Sequence, residues 1–199
     1  MKYQILGVAL SLDLSSAAQG WAQTDTTETE QTTADDEFPV AGETATDEPQ
    51  EGDGYLKSQH EKWEVRCIKA LEGQEDLCRI YNLLIDEDGA SVAEFNLTAL
   101  PKGGKAAAGV DIATPLGSLL TKQVLLRIDS GQTNRYPYTW CDQLACYARF
   151  GLTGAEVDAL KRGLNAQVTV WSVAAPEEPI VLNISLKGFT ASWNEIAPE

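Results

Sequence analysis

The chain of 199 residues has one histidine, one methionine and only 15 Lys and Arg against 30 Asp and Glu. Each scarcity excludes something. A Ser-His-Asp or Cys-His site would have to use His60. That residue lies among Lys57, Glu61 and Lys62, where an acidic segment meets the first strand, and reads as solvated. No Gly-x-Ser-x-Gly elbow is present. Gly104-Lys105 resembles the end of a phosphate loop, but Ala99 stands at the first glycine position and Ala106 where Ser or Thr belongs, so a hairpin loop is the expectation. Asp86, Glu87 and Asp88 lack the alternate spacing of a calcium loop and read as a turn. Carboxylate pairs for glycan hydrolysis would have to come together from distant positions, and no pair is nominated. The basic residues are scattered, whereas nucleic-acid binding needs a concentrated basic face. No apolar run approaches the ~20 residues of a membrane-spanning helix. No Cys-x-x-Cys occurs, which argues against a redox pair or a zinc knuckle. The residues nominate no catalytic site, cofactor or metal.

What is present begins with an export signal. Lys2 and the α-amine form a short positive region. Ile5 to Leu14 is largely apolar, and Gly20-Trp21-Ala22 places small residues at −3 and −1 of a cut after Ala22. A cut after Ala18 fits as well. Residues 1–22 therefore read as a signal peptide, with Asp13 as its one blemish. Residues 23–54 hold 11 acidic residues, no Lys or Arg, and only Phe38 and Val40 as large apolar side chains. Such a segment buries too little apolar surface to offset its ordering entropy, and it reads as a disordered acidic linker. Residues 55–199 carry a formal charge of only −4 and form one ordinary domain.

Four cysteines in two close pairs follow the signal. An exported chain meets an oxidising compartment, where thiols pair. Of the three connectivities open to Cys67, Cys78, Cys141 and Cys146, the sequential one, Cys67–Cys78 and Cys141–Cys146, is expected. The rest of the domain reads as strands. Trp63, Val65 and Cys67 alternate with Lys62, Glu64 and Arg66, the period of a half-buried strand. Similar runs cover Cys78 to Ile85, Ser91 to Leu100, Leu119 to Ile128, Gln167 to Val173 and Ile180 to Leu186, the last two as a hairpin around Pro176-Glu-Glu-Pro179. One helix is expected after Thr153, with Glu156 completing a capping box, Val157, Leu160 and Leu164 as its stripe, and Gly163 at its end. Many strands, one short helix and Gly/Pro turns predict an all-β fold, an antiparallel sandwich or barrel. Tyr136, Tyr138, Trp140 and Tyr147, gathered near the second cysteine pair, form the candidate binding patch, since aromatics dominate interface energetics.

An ordered set of motifs runs through the domain. It begins with Trp63-x-Val65-x-Cys67, Cys78 and Thr114-Pro115-Leu116-Gly117, then Ile128-Asp129-x-Gly131, Pro137-Tyr138-x-x-Cys141 and Cys146-Tyr147-Ala148. It ends with Leu164-x-Ala166-x-Val168, Ser185-Leu186-x-Gly188-Phe189 and Ala191. This set resembles the invasion-associated locus B family of exported Gram-negative bacterial proteins, over about Glu61 to Ile196. Two positions depart from the family pattern: Ala145 stands where Gly is usual before the fourth cysteine, and Thr114 where Leu is usual. The resemblance implies a small jelly-roll-like β-sandwich in the periplasm or outer envelope, with no catalytic residues to carry over. It implies action by binding a protein or surface glycan, in members tied to invasion of host cells. Gly117, Gly131 and Gly188 are expected at positive-φ turns, Trp63 and Phe189 in the core, and Asp129 as a partner of turn amides.

Overall fold

The computed structural model describes residues 48–198; the signal peptide and nearly all of the acidic linker fall outside these described residues. Alternation builds the first layer. Strands β1 (Gly54–His60), β2 (Trp63–Ile68), β3 (Leu77–Ile85), β4 (Ser91–Ala99) and β5 (Ala108–Thr114) run up and down as neighbours. Strand β6 (Val124–Ile128) leaves that sheet, followed by the short β7 (Asn134–Tyr136). Strands β8 (Trp140–Cys141) and β9 (Cys146–Leu152) rejoin it next to β5. Helix α1 (Gly154–Arg162) leads into β10 (Asn165–Ser172) and β11 (Ala175–Ser185), and helix α2 (Phe189–Ile196) closes the chain. The result is a seven-stranded sheet, β1-β2-β3-β4-β5-β9-β8, and a four-stranded sheet, β11-β10-β6-β7, antiparallel throughout.

The two sheets share one core. Trp63, Ile80, Phe95, Leu97 and Ile112 from the first meet Val124, Leu126, Val168, Leu182 and Ile184 from the second. Trp63 is fully buried, edge-on to Phe95 at 5.8 Å and to Phe189 at 5.1 Å, and its indole N–H donates to Ser185 O at 2.9 Å. That bond satisfies the one polar atom this side chain brings inside. The all-β sandwich expected from the alternation is the fold observed.

Several local expectations change. A second helix, α2, joins the expected one. Its sequence, FTASWNEI, has no side-chain cap, and Gly188 opens it in the left-handed conformation at φ 91°. Phe189, Ser192 and Trp193 fall on one face and are buried, so packing rather than propensity holds it. Within the expected Leu119 to Ile128 strand, Leu120–Lys122 form a 3₁₀ turn and only Val124–Ile128 is extended. Pro176–Pro179 does not form the hairpin turn. It lies inside β11, an edge strand where a missing N–H is tolerated. Gly131 does not adopt positive φ; glycine suits the position because a Cβ there would crowd Ile128 O at 2.9 Å. Asp129 itself takes φ 46° and accepts amides of Leu164 (3.1 Å) and Asn165 (2.8 Å), tying β6 to the start of β10 rather than capping its own turn. Helix α1 forms with Thr153 and Glu156 bonded reciprocally at 2.8 and 3.3 Å and ends before Gly163 as expected, but Leu164 is not on its stripe: it lies beyond the helix and is 76 % exposed, so Val157 and Leu160 alone are the buried pair.

Candidate binding surface

Both cysteine pairs are bonded, and each joins residues directly opposite on adjacent strands: Cys67 with Cys78 across β2–β3, and Cys141 with Cys146 across β8–β9. The second bridge closes a four-residue turn. Inside it the Asp142 carboxylate accepts the amides of Leu144 (2.8 Å) and Ala145 (3.0 Å), and these bonds hold its carboxyl below the usual range. A turn fixed by a disulfide and two charge-assisted bonds presents Leu144 to solvent, 83 % exposed.

Beside this turn the outer face of the large sheet carries a short ladder. Trp140 and Tyr147 oppose each other across β8–β9 and stack at 4.8 Å. The Arg149 guanidinium lies 4.6 Å from the Trp140 ring and grips Asp111 with two bonds, at 2.6 and 2.8 Å. Those bonds raise the guanidinium's pKa and hold it beside the indole. Burial, then the Asp142 carboxylate, push the Tyr147 phenol up, so it remains a neutral donor.

The four aromatics nominated from sequence do not form one patch. Tyr136 stacks face to face on Phe150 at 3.5 Å and packs on the core, where burial raises its phenol. Tyr138 also packs on the core, with its hydroxyl 3.3 Å from Thr114 Oγ1. Trp140 and Tyr147 alone belong to the outer ladder. What sequence reading missed is apolar. Leu83, Val92, Pro115, Leu144 and Tyr147 line a cleft of about 340 Å³, with Glu94 at its edge. The loop after β5 continues this surface through Leu116 (54 % exposed) to Val173 (58 % exposed), which is bonded to it by Val173 N–H to Gly117 O at 2.8 Å. Thr114 anchors that loop. It is buried, donates to Cys146 O at 3.1 Å, and meets Ser118 Oγ at 2.9 Å, so its departure from the family pattern serves as a polar pin. Tyr147 was the one member of this surface nominated from sequence; Leu116 stood there only within the Thr114-Pro115-Leu116-Gly117 motif.

His60 is not solvated as expected. It is half-buried at the end of β1, and its Nε2 lies 2.5 Å from Glu195 Oε1 on α2. Ser58 Oγ donates to the same oxygen at 2.7 Å. Serine and histidine thus converge on one carboxylate instead of bonding to each other, an arrangement that fastens α2 to β1. The His60 bond, then Ser58 and Lys57, hold the Glu195 carboxyl below the usual range. Among the described residues no three His, Cys, Asp or Glu side chains converge in a way that would hold a metal ion, and no helix is long and apolar enough to cross a membrane.

Comparison with known proteins places this geometry. A family model described as invasion associated locus B (IalB) protein matches residues 63–197. Invasion protein B homologs from two strains of Brucella abortus, 2308 and biovar 1 strain 9-941, are each 30 % identical over 148 residues, which span 73 % of this chain and 81 % of theirs. The crystal structure of invasion associated protein b from Bartonella henselae aligns with a TM-score of 0.58 at 20 % identity, over 71 % of this chain and 96 % of that one.

Proposed function

This chain belongs to the invasion associated locus B family, and on that premise we propose that it is an exported envelope protein of a Gram-negative bacterium that acts by binding a protein partner through the end of the sandwich carrying Leu144. The observation that carries the reading is the rigid presentation of apolar side chains in that region: Leu144 on the disulfide-closed turn, with Leu116 and Val173 on adjoining loops. Exposed apolar groups on a pre-ordered frame associate at a smaller entropic ordering cost. The Trp140–Tyr147–Arg149 ladder adds the residue types that dominate interface energetics. An apolar surface of this kind suits a protein better than a glycan. The role is binding rather than catalysis; the family is not a known enzyme family. The signal-like first 22 residues and the two disulfides support export to the periplasm or outer envelope. The names of the Brucella and Bartonella relatives support a role in host-cell invasion.

The test is site-specific photo-crosslinking in the native bacterium. A photoreactive residue at position 144 should give a discrete adduct, whereas one at the exposed position 183 on β11 should not. Equal labelling at both positions, or none at 144, would overturn the assignment. An adduct with a host or outer-membrane protein supports invasion; one with only periplasmic proteins assigns a housekeeping envelope role.

A further inference from the structure

A second cleft, of about 550 Å³, opens on the outer face of the large sheet beside the Cys67–Cys78 bridge and shares no residue with the one beside Leu144. Two rows of side chains cross it. Ile68 of β2 and Leu77 of β3 are directly opposite each other, and so are Arg66 and Arg79, one pleat away on the same two strands. Leu56 of β1 stands opposite Arg66, at the end of the arginine row. Leu77 is 74 % and Leu56 55 % exposed. Gly54, opposite Ile68, brings no side chain, so the apolar row is open on the β1 side.

Like charges directly opposite destabilise a ladder, and only one of these arginines is compensated. Arg66 bonds Glu64 through Nε at 2.7 Å, and its guanidinium lies 3.3 Å over the Tyr81 ring. Arg79 is exposed and has no ion-pair partner among the described residues. Asp76, just before β3, is engaged elsewhere: it accepts Tyr55 O–H at 2.6 Å and Ala70 N–H at 2.9 Å, with Lys69 Nζ at 3.5 Å. Those bonds and the disulfide fix the frame, so an occupant meets a pre-ordered surface.

The spacing of the rows specifies what fits. Residues two apart on an extended chain share a face and stand about 6.7 Å from each other. The arginine and apolar rows are also two residues apart, so an extended segment lying along β2 and β3 matches both when a carboxylate and an apolar side chain stand at i and i+2. The Arg79 fork is unoccupied by any carboxylate and suits one geometrically. Strand addition at β1 is disfavoured, because a bulge between Leu56 and Ser58, with Lys57 inside it, breaks the edge. An anionic bilayer would press its charge on a whole domain of net charge −4, whereas a segment one strand wide meets the arginines alone. We propose that this cleft docks an extended acidic segment of a partner protein with that i, i+2 pattern. Its carboxylate lies on Arg79 and Arg66 and its apolar side chain on Ile68 and Leu77, with Leu56 closing the side.

The experiment titrates the oxidised chain from Gln23 to Glu199 with an end-blocked synthetic peptide, Glu-Ser-Val-Ser repeated twice, which sets Glu and Val on one face when extended. The reference peptide, Glu-Val-Ser-Ser repeated twice, has the same composition but sets them on opposite faces. Guanidinium and methyl NMR should show the Arg79 Nε–H and the Ile68 and Leu77 methyls shifting, with saturation at low millimolar peptide and the Leu144 methyls unmoved. Arg79→Gln should weaken binding about fivefold and Leu77→Ser about tenfold, while Leu144→Ser should leave it unchanged. Absence of shifts at these residues overturns the docking. Equal affinity for the reference peptide, or an Arg79→Gln variant that binds as tightly as the native chain, overturns the pattern on which it rests. Broadening of the same signals by phosphatidylglycerol vesicles, without a response to the peptide, overturns it in favour of a lipid surface.

Discussion

Gly188 offers the sharpest test of how the end of the chain is held. It sits at φ 91°, and a Cβ there would overlap the carbonyl oxygen of His60. The two effects separate by comparison with Gly73, which has φ 82° and nothing within 4 Å of a Cβ. Left-handed backbone costs an L-residue about 1–2 kcal/mol. Gly73→Ala should therefore destabilise by about that amount and no more. Gly188→Ala carries the same penalty and adds a collision with backbone, which cannot rotate away. To relieve it, the start of α2 must lift off β1, exposing part of Phe189, now fully buried against Trp63. Full burial of such a side chain is worth about 1.5–3 kcal/mol, so the total loss should reach about 3–4 kcal/mol. In a domain of this size that corresponds to a melting temperature lower by roughly 10 °C. Urea titration followed by tryptophan fluorescence, read alongside the thermal melt, measures both variants. If Gly188→Ala loses no more than Gly73→Ala, within about 0.5 kcal/mol, the packing of α2 on β1 through Gly188 is refuted.

Three further outcomes follow from the same geometry. Leu144→Glu changes an exposed side chain, so the melting temperature should move by no more than about 2 °C, and Trp140→Ala, which gives up its stacking on Tyr147, should lower it by about 2–5 °C, while in both the adduct formed from a photoreactive residue at position 116 should be lost; retained labelling in both variants argues against that surface. Replacing both Cys67 and Cys78 by Ala removes an 11-residue cross-link worth about 3 kcal/mol by the chain-entropy estimate, seen as a melt lower by roughly 6–12 °C; an unchanged melt would make the bridge dispensable. The Glu195, Asp76 and Asp142 carboxyls are all held below their ordinary range. A depressed carboxyl contributes stability that is present above the unfolded-state value and is lost as pH falls through the folded one. Urea midpoints should thus be flat near neutrality and drop on acidification below about pH 5, and Glu195→Gln should lower the neutral plateau while flattening part of that acid limb; an acid limb identical to that of the native chain would show that Glu195 contributes nothing to it.

The fold was legible where burial imposes a period. Trp63, Val65 and Cys67 alternate cleanly because β2 has one buried face, and the Thr153–Glu156 box announces α1 because capping is local chemistry. Strand β5 was hidden because Ala108, Gly109 and Ala113 are small and occur elsewhere in loops; its neighbours β4 and β9 supply the pairing that makes it extended. Strand β1 was hidden because GYLKSQH is mostly polar and follows an acidic segment, yet it completes the sheet as an edge. Helix α2 was hidden because its stability comes from Phe189 and Trp193 meeting Trp63 and the strands beneath, contacts made across more than a hundred residues. The binding surface was half legible for the same reason. Trp140 and Tyr147 flank a cysteine pair in sequence, but Tyr136 and Tyr138 are drawn inward by Phe150 and Thr114, and no pattern in one strand reveals that Leu83, Pro115 and Leu144 share a cleft.

The two disulfides give these surfaces a common logic. A bridge between directly opposite strand residues stabilises the domain chiefly by constraining the unfolded chain, and in the folded state it also fixes whatever lies just beyond the ladder. Beyond Cys141–Cys146 lies the turn presenting Leu144; beyond Cys67–Cys78 lie the paired Ile68 and Leu77. In both places the residue held rigid is an exposed leucine, which a stability-driven design would replace with a polar side chain. Pre-ordering an apolar contact raises affinity by reducing the conformational entropy lost on binding. Reduction should therefore weaken partner binding under conditions where the domain remains folded. The assay compares oxidised and reduced protein, held well below the reduced melting temperature, for crosslinking at position 144. Loss of the adduct with a native fluorescence spectrum supports bridges that organise binding surfaces; full retention of the adduct would show that they serve the fold alone.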